Sequence, residues 1–259
     1  MADYGWAGPP VPGVSGEVLP ELDLPGPGRQ RRWTVLLRLL LLVPQYVVLF
    51  LLGIAGFVAM VVGWFAALLL GRLPQPIAAF LSGFLVYQTR VYAYGMLLVD
   101  RYPPFAFTAP EHPVQVELHP GELNRLAVLF RIVLLIPGAV VSGLVTSGFY
   151  AVSILIWLVT LVLGRMPEPV FGATAATARY AMRFSAYVTM LTAAYPKGLF
   201  GDDSRLMPQS RSATRPLLLS GGAKLLVAVF LVLGLVSGAF SGTGTSGGSD
   251  SGTVNASAR

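Results

Sequence analysis

The sequence has no cysteine, two histidines and two lysines. Without cysteine there are no disulfides, no thiolate metal sites and no cysteine nucleophiles. The histidines, His112 and His119, sit close together, and no His-Glu-x-x-His, Gly-x-Ser-x-Gly or Walker pattern occurs. Glu111, His112, Glu117 and His119 are metal-binding types. Val114 to Leu118, however, alternates like a short strand and turns both histidines towards solvent. No catalytic residue, no metal and no cofactor is expected.

Charge is the next scarcity. Only 12% of the 259 residues are charged and 54% are hydrophobic, whereas a soluble domain carries about 25% charged residues. No charge occurs from Leu39 to Gly71, from Ile132 to Gly164 or from Leu225 to Ser249. Each run exceeds the roughly 20 apolar residues that cross a bilayer. A soluble enzyme, a disordered chain and a coiled coil are excluded. The net charge of +6 is read as a topology signal. No basic stripe with interleaved aromatics marks a nucleic-acid partner. The first apolar run begins near Trp33, too far in and too long for a cleavable leader.

What the chain does have is a repeat. A shift of 93 positions lays Arg38 on Arg131, Pro44 on Pro137 and Trp64 on Trp157. It lays Gly71-Arg72-x-Pro74-x-Pro76 on Gly164-Arg165-x-Pro167-x-Pro169. Tyr87, Arg90 and Tyr94 fall on Tyr180, Arg183 and Tyr187. Leucine matches are cheap in apolar sequence, whereas matched Arg, Pro, Trp and Tyr are not. The expected fold is an all-α integral membrane protein. It has two tandem helical-hairpin repeats, one C-terminal transmembrane helix and disordered tails.

The boundaries read as follows: residues 1–28 a disordered Pro/Gly-rich tail, 29–107 the first membrane repeat, 108–124 an inter-repeat loop and 125–200 the second repeat. Residues 201–216 form a cytoplasmic linker, 217–240 a terminal span and 241–259 a Gly/Ser/Thr tail. In each repeat, Gly-Arg-x-Pro-x-Pro ends one helix and starts another. Trp33 to Leu70 as a single helix would be roughly 57 Å long. Pro44 is expected to divide it into an interfacial piece bearing Arg31, Arg32 and Arg38 and a tilted span from Gln45. A second reading makes two short spans turning near Gly53 and Gly56, which places irregular backbone in lipid. The second helices are expected over 77–99 and 170–194. Gly234 and Gly238 have the spacing of a close-packed helix face in the last span.

Five spans alternate sides. Arg29, Arg31, Arg32, Arg101, Arg125, Lys197, Arg205, Arg211 and Arg215 then share one side, and Arg72 and Arg165 the other. The positive-inside rule makes the N-terminus cytoplasmic and the C-terminus external. An even number of spans per repeat points both repeats the same way, unlike inverted transporter repeats.

The landmarks Arg38-Leu-Leu-Leu-Leu-Val-Pro44, Gly63-Trp64-Phe65, Gly71-Arg72-Leu73-Pro74, Thr89-Arg90 and Asp100-Arg101-Tyr102-Pro103-Pro104-Phe105 resemble the bacterial membrane family called domain of unknown function 4389. The resemblance covers residues 27 to 107 and, less fully, 120 to 200. There Ala193-Ala194-Tyr195-Pro196-Lys197 replaces the Asp-Arg-Tyr-Pro-Pro ending. Family members often carry His after the first Pro and an aromatic after Gly-Arg. Those positions here are Gln45 and Gly138, and Leu73 and Met166. The resemblance implies a helical membrane protein in a bacterial cytoplasmic membrane, and no activity, cofactor or catalytic residue.

Arg90 and Arg183 are the most informative positions, because an arginine inside a span costs several kcal/mol. Tyr87 and Tyr94 share the helical face of Arg90, as Tyr180 and Tyr187 share that of Arg183. One reading is a pair of sites for an anion or lipid headgroup, which the planar guanidinium suits. The other is snorkelling of the arginines to the interface. Arg38 and Arg131 are candidates for anchoring lipid phosphates. The expected function is non-enzymatic, a scaffold or lipid-interacting subunit whose partners are membrane lipids and other membrane proteins. A transporter or channel for an anionic or lipidic solute is the alternative, and a lipid-modifying enzyme the third.

Overall fold

The computed structural model describes residues 19–118, 123–202 and 212–243. Two long helices, α1 (Arg32–Leu70) and α3 (Arg125–Leu163), have 39 residues each. Each is followed by a 21-residue helix, α2 (Gln75–Gly95) and α4 (Glu168–Val188). The boundaries of the second pair lie 93 positions after those of the first. A last helix, α5, runs over Gly221–Thr243. Two short strands, β1 (Glu21–Asp23) and β2 (Gln115–Glu117), pair antiparallel with Leu22 opposite Val116.

The repeat follows from how its helices end. Gly71 and Gly164 take left-handed φ values of 72° and 65° and donate their N–H to the Ala67 and Thr160 carbonyls. Only glycine adopts this conformation without steric cost. Prolines in the first turn open α2 and α4. Past the far ends of these helices, Leu97 (φ 64°) and Met190 (φ 60°) turn left-handed without being glycine. That costs roughly 1–2 kcal/mol each. Both side chains are buried, which offsets the cost by about 1.5–3 kcal/mol. The turns end α2 and α4 several residues short of the expected 99 and 194.

Pro44 does not divide the first helix, nor Pro137 its counterpart. Both lie inside continuous helices. The buried stripe Val35, Arg38, Leu42 continues past Pro44 as Gln45, Leu49 and Gly56. A proline in a helix interior costs about 3 kcal/mol. A full break would strand several more backbone groups in an apolar setting, each costing several kcal/mol. The reading with a turn near Gly53 and Gly56 falls for the same reason.

The two repeats run opposite ways. Trp64 Nε1 donates to the Val128 carbonyl (3.3 Å) and Trp157 Nε1 to the Val35 carbonyl (2.8 Å). The start of α1 therefore meets the end of α3, and the end of α1 meets the start of α3. Arg32 reaches the Val162 carbonyl, and the Gln30 N–H bonds the Gly164 carbonyl at 2.8 Å. At the other end Gly71 faces the Arg125 side chain. The repeats are thus related by a two-fold axis across the helices, which corrects the expectation that both point the same way. Counting spans failed because the polar segment after α2 runs back along the bundle. It packs against α1 at Leu41 and Gln45 and against α2 at Gly83. Arg125 accordingly lies at the opposite end from Arg29.

Among the described residues, α1, α3 and the Gly221–Ala239 part of α5 are long and apolar enough to cross a membrane. The helix α5 lies antiparallel on α3, with Gly148 against the Phe230 carbonyl and Gly234 against the Leu144 carbonyl. Among the described residues nothing lies within contact of a methyl group at Gly238, and of the two expected glycines Gly234 is the one packed closely there.

The expected N-terminal tail is corrected over residues 19–28. Leu22 and Leu24 are buried, and Glu21 joins Glu117 on Arg215, which precedes α5. The alternation Glu21-Leu22-Asp23-Leu24 gives this stretch the buried face that its Gly/Pro-rich surroundings lack. The earlier residues of that tail, residues 203–211 with Arg205 and Arg211, and the tail from 244 lie outside the described residues.

Candidate functional site

A buried arginine from each long helix meets a tyrosine from the following short helix. The Arg38 guanidinium lies 4.4 Å from the Tyr94 ring centre and that of Arg131 lies 4.2 Å from the Tyr187 ring centre. These pairs are again 93 positions apart. Each tyrosine also packs edge-on against a second ring, Tyr94 on Tyr102 and Tyr187 on Tyr195. Arginine over an aromatic face gains about 2 kcal/mol or more when desolvated.

The two guanidinium groups finish their bonding differently. Arg38 donates Nη1 to the Tyr94 carbonyl (2.8 Å) and Nη2 to the Asp100 carboxylate (3.2 Å). Asp100 also accepts from the Thr34 hydroxyl and the Arg31 N–H. Arg131 donates Nη2 to the Thr192 carbonyl at 2.8 Å, while among the described residues its buried Nη1 has no hydrogen-bond partner and its Nε, like that of Arg38, has none. The positions equivalent to Asp100 and Thr34 are Ala193 and Ala127. The second repeat therefore has methyl groups where the first has a carboxylate and a hydroxyl.

The structure does not gather Tyr87, Arg90 and Tyr94 into one site. Arg90 donates to the Ala106 (3.3 Å), Phe107 (3.1 Å) and Val114 (3.5 Å) carbonyls. Tyr87 donates its hydroxyl to Gln45, whose Nε2 donates to the Pro103 carbonyl at 2.8 Å. Arg183 donates to the Pro20 (2.9 Å) and Lys197 (2.8 Å) carbonyls and lies 3.8 Å from Asp202. Asp202 pairs more closely with Arg179. Arg90 thus clasps the segment that follows its own helix, and Arg183 ties the segment after its helix to Pro20 of the N-terminal stretch. Tyr180 is buried. At Gly138, opposite Gln45 in the repeat, the Phe184 ring and the Tyr195 hydroxyl fill the space.

His112 is buried rather than solvent-facing, and its Nδ1 accepts from the Val114 N–H at 3.2 Å. Burial, with the nearby Arg90 charge, pushes its pKa below the usual histidine range. Burial opposes the charge of Arg215, but the Glu117 and Glu21 carboxylates prevail and hold its pKa above the usual value.

Sequence reading missed Asp100 as the counter-charge of Arg38, and Asp202 as that of Arg179. The signal for the first was present. Asp100 is the acid of one repeat ending, and Ala193 replaces it in the other. What the sequence hid is that Tyr94 and Tyr187 serve arginines from the neighbouring helices rather than those on their own faces.

The model of the family described as domain of unknown function (DUF4389) matches residues 32–106 and again 125–199. No curated protein and no solved structure matches the chain.

Proposed function

We propose, for a chain that belongs to the DUF4389 family in two tandem copies, a non-enzymatic role as a membrane-embedded scaffold that holds lipids along its long helices. The observation that carries this is the surface of α1 and α3. From Trp33 to Leu70 and from Leu126 to Leu163 these helices expose large apolar side chains along their length, while Arg38, Gln45 and Arg131 turn inward. A face of that size is covered by lipid or protein. At 39 residues each helix is about 58 Å long, so a bilayer core of roughly 30 Å contains it only when it is steeply tilted.

The bacterial cytoplasmic membrane and a cytoplasmic N-terminus belong to the same reading. Arg29, Arg31, Arg32 and Arg165 gather at one end of the α1–α3 pair, against Arg72 and Arg125 at the other. That bias favours the N-terminal end as the inner one. As α5 runs parallel to α1, its C-terminal end is the outer one.

Alkaline carbonate extraction tests the reading. The chain is expected to stay with the membrane pellet, and release to the supernatant overturns it. Anion flux in liposomes tests the transport alternative. The chain is expected to add no flux, whereas flux abolished by Arg90→Leu with Arg183→Leu would replace the scaffold reading by transport.

A further inference from the structure

We infer that the Arg131 guanidinium, with Ala193 and Ala127 beside it, is a phosphate site, filled from the headgroup of a membrane phospholipid. The inference rests on the membrane reading above and gives it a specific ligand.

Comparison of the two repeats carries the argument. In the first, Asp100 supplies an anionic oxygen to Arg38, and Thr34 and the Arg31 N–H steady that carboxylate. The site is charge-balanced from within. In the second, the arginine and its tyrosine are kept, with nearly the same spacing between them. The carboxylate and hydroxyl are replaced by Ala193 and Ala127. Arg131 is 3% exposed, and among the described residues its Nη1 has no partner; its Nε has none either, as in Arg38, whose two Nη atoms bond the Tyr94 carbonyl and Asp100. A buried guanidinium without an anion is costly, and its fork matches two oxygens of a phosphate.

Three further features fix the ligand. Ala193 and Ala127 are exposed, so small side chains line the surface beside the buried guanidinium, at the positions of Asp100 and Thr34 in the first repeat. The first turn of α3 carries no acid, and a helix N-terminus favours an anion. Around the site Leu126, Phe130, Val133 and Leu134 are exposed, a surface suited to acyl chains. A phosphate whose tails lie along α3 meets all of these demands, and one lipid per chain follows because the first repeat carries its own carboxylate.

Native mass spectrometry of the full chain, loaded with phosphatidylglycerol or with a phosphate-free glycolipid, tests this. Wild type is expected to retain one phosphatidylglycerol more than Ala193→Asp, with no such difference for the glycolipid. Retention should fall by roughly tenfold or more, the weight of one charge-assisted hydrogen bond. Ala193→Asp recreates the arrangement of the first repeat, so it should keep or raise the melting temperature. Asp100→Ala, in contrast, should gain a second retained lipid. Inorganic phosphate held by the delipidated chain and lost in Ala193→Asp, without any lipid difference, would support the phosphate site and assign it to the free anion. Equal lipid and phosphate retention by wild type and a folded Ala193→Asp would overturn the site. If that chain still resists carbonate extraction, the membrane reading stands and only the site falls.

Discussion

Asp100 and Ala193 occupy the same place in the repeat and give two opposite predictions. Removing the carboxylate with Asp100→Ala leaves Arg38, which is 1% exposed, with a tyrosine face and one carbonyl. Breaking a buried pair from one side costs about 3–5 kcal/mol. Because the Asp100 side chain is 23% exposed, water screens part of this, and a loss of roughly 1–3 kcal/mol is expected in detergent melting. Asp100→Asn, which keeps an acceptor oxygen, should lose less. His112 gives a pH prediction. Its pKa is lowered in the folded chain, so below about pH 6.5 the unfolded chain takes up the proton first. Stability should therefore fall as pH drops from 6.5, with the loss ending below the depressed folded value. Arg90 and Arg101 face this imidazole, and both repel the added charge. His112→Asn keeps an acceptor for the Val114 N–H and should flatten the melting temperature between pH 6.5 and 5.

Helix packing supplies the next prediction. Gly148 and Gly234 each meet a carbonyl of the neighbouring backbone so closely that an added methyl group has no room. Backbone cannot swing aside as a side chain does, so Gly148→Ala or Gly234→Ala should separate α3 from α5. A cost of about 1–3 kcal/mol is expected, measured by thermal melting or by loss of an engineered α3–α5 cross-link. Gly238→Ala is the control. Among the described residues it meets nothing, and its better helix propensity should leave stability unchanged or raise it by up to about 1 kcal/mol. The ends of α1 and α3 were legible in the sequence, because Gly71 and Gly164 with the prolines after them carry their own geometry, whereas the ends of α2 and α4 at the non-glycine turns of Leu97 and Met190 were not. Continuity through Pro44 was not, since it depends on how much packing lies on either side of the proline.

At the scale of the molecule, the direction of the second repeat decides where the charges go. The native chain has no cysteine, so single cysteines report one position each. Antiparallel α1 and α3 put Arg72→Cys and Arg125→Cys on one side of the membrane, with Arg29→Cys and Arg165→Cys on the other. All four positions are exposed. A membrane-impermeant thiol reagent applied from each side should label them in those two pairs. Labelling of 29 together with 125, and of 72 together with 165, would mean that the repeats point the same way.

The sequence by itself determined the membrane class, the 93-residue duplication and the helix-ending turns. Each of these rests on local chemistry: charge-free length, matched Arg, Pro, Trp and Tyr, and glycines that accept a left-handed turn. Only the tertiary structure decided that the repeats are inverted, that Arg90 clasps the segment after its helix while Arg183 also reaches Pro20, and that Arg38 and Arg131 stack on tyrosines. These depend on contacts between positions far apart in the chain, such as Arg38 with Asp100 and Trp157 with Val35. The route of the polar segment after α2 sets those contacts, and the spacing of residues along a helix says nothing about where such a segment returns.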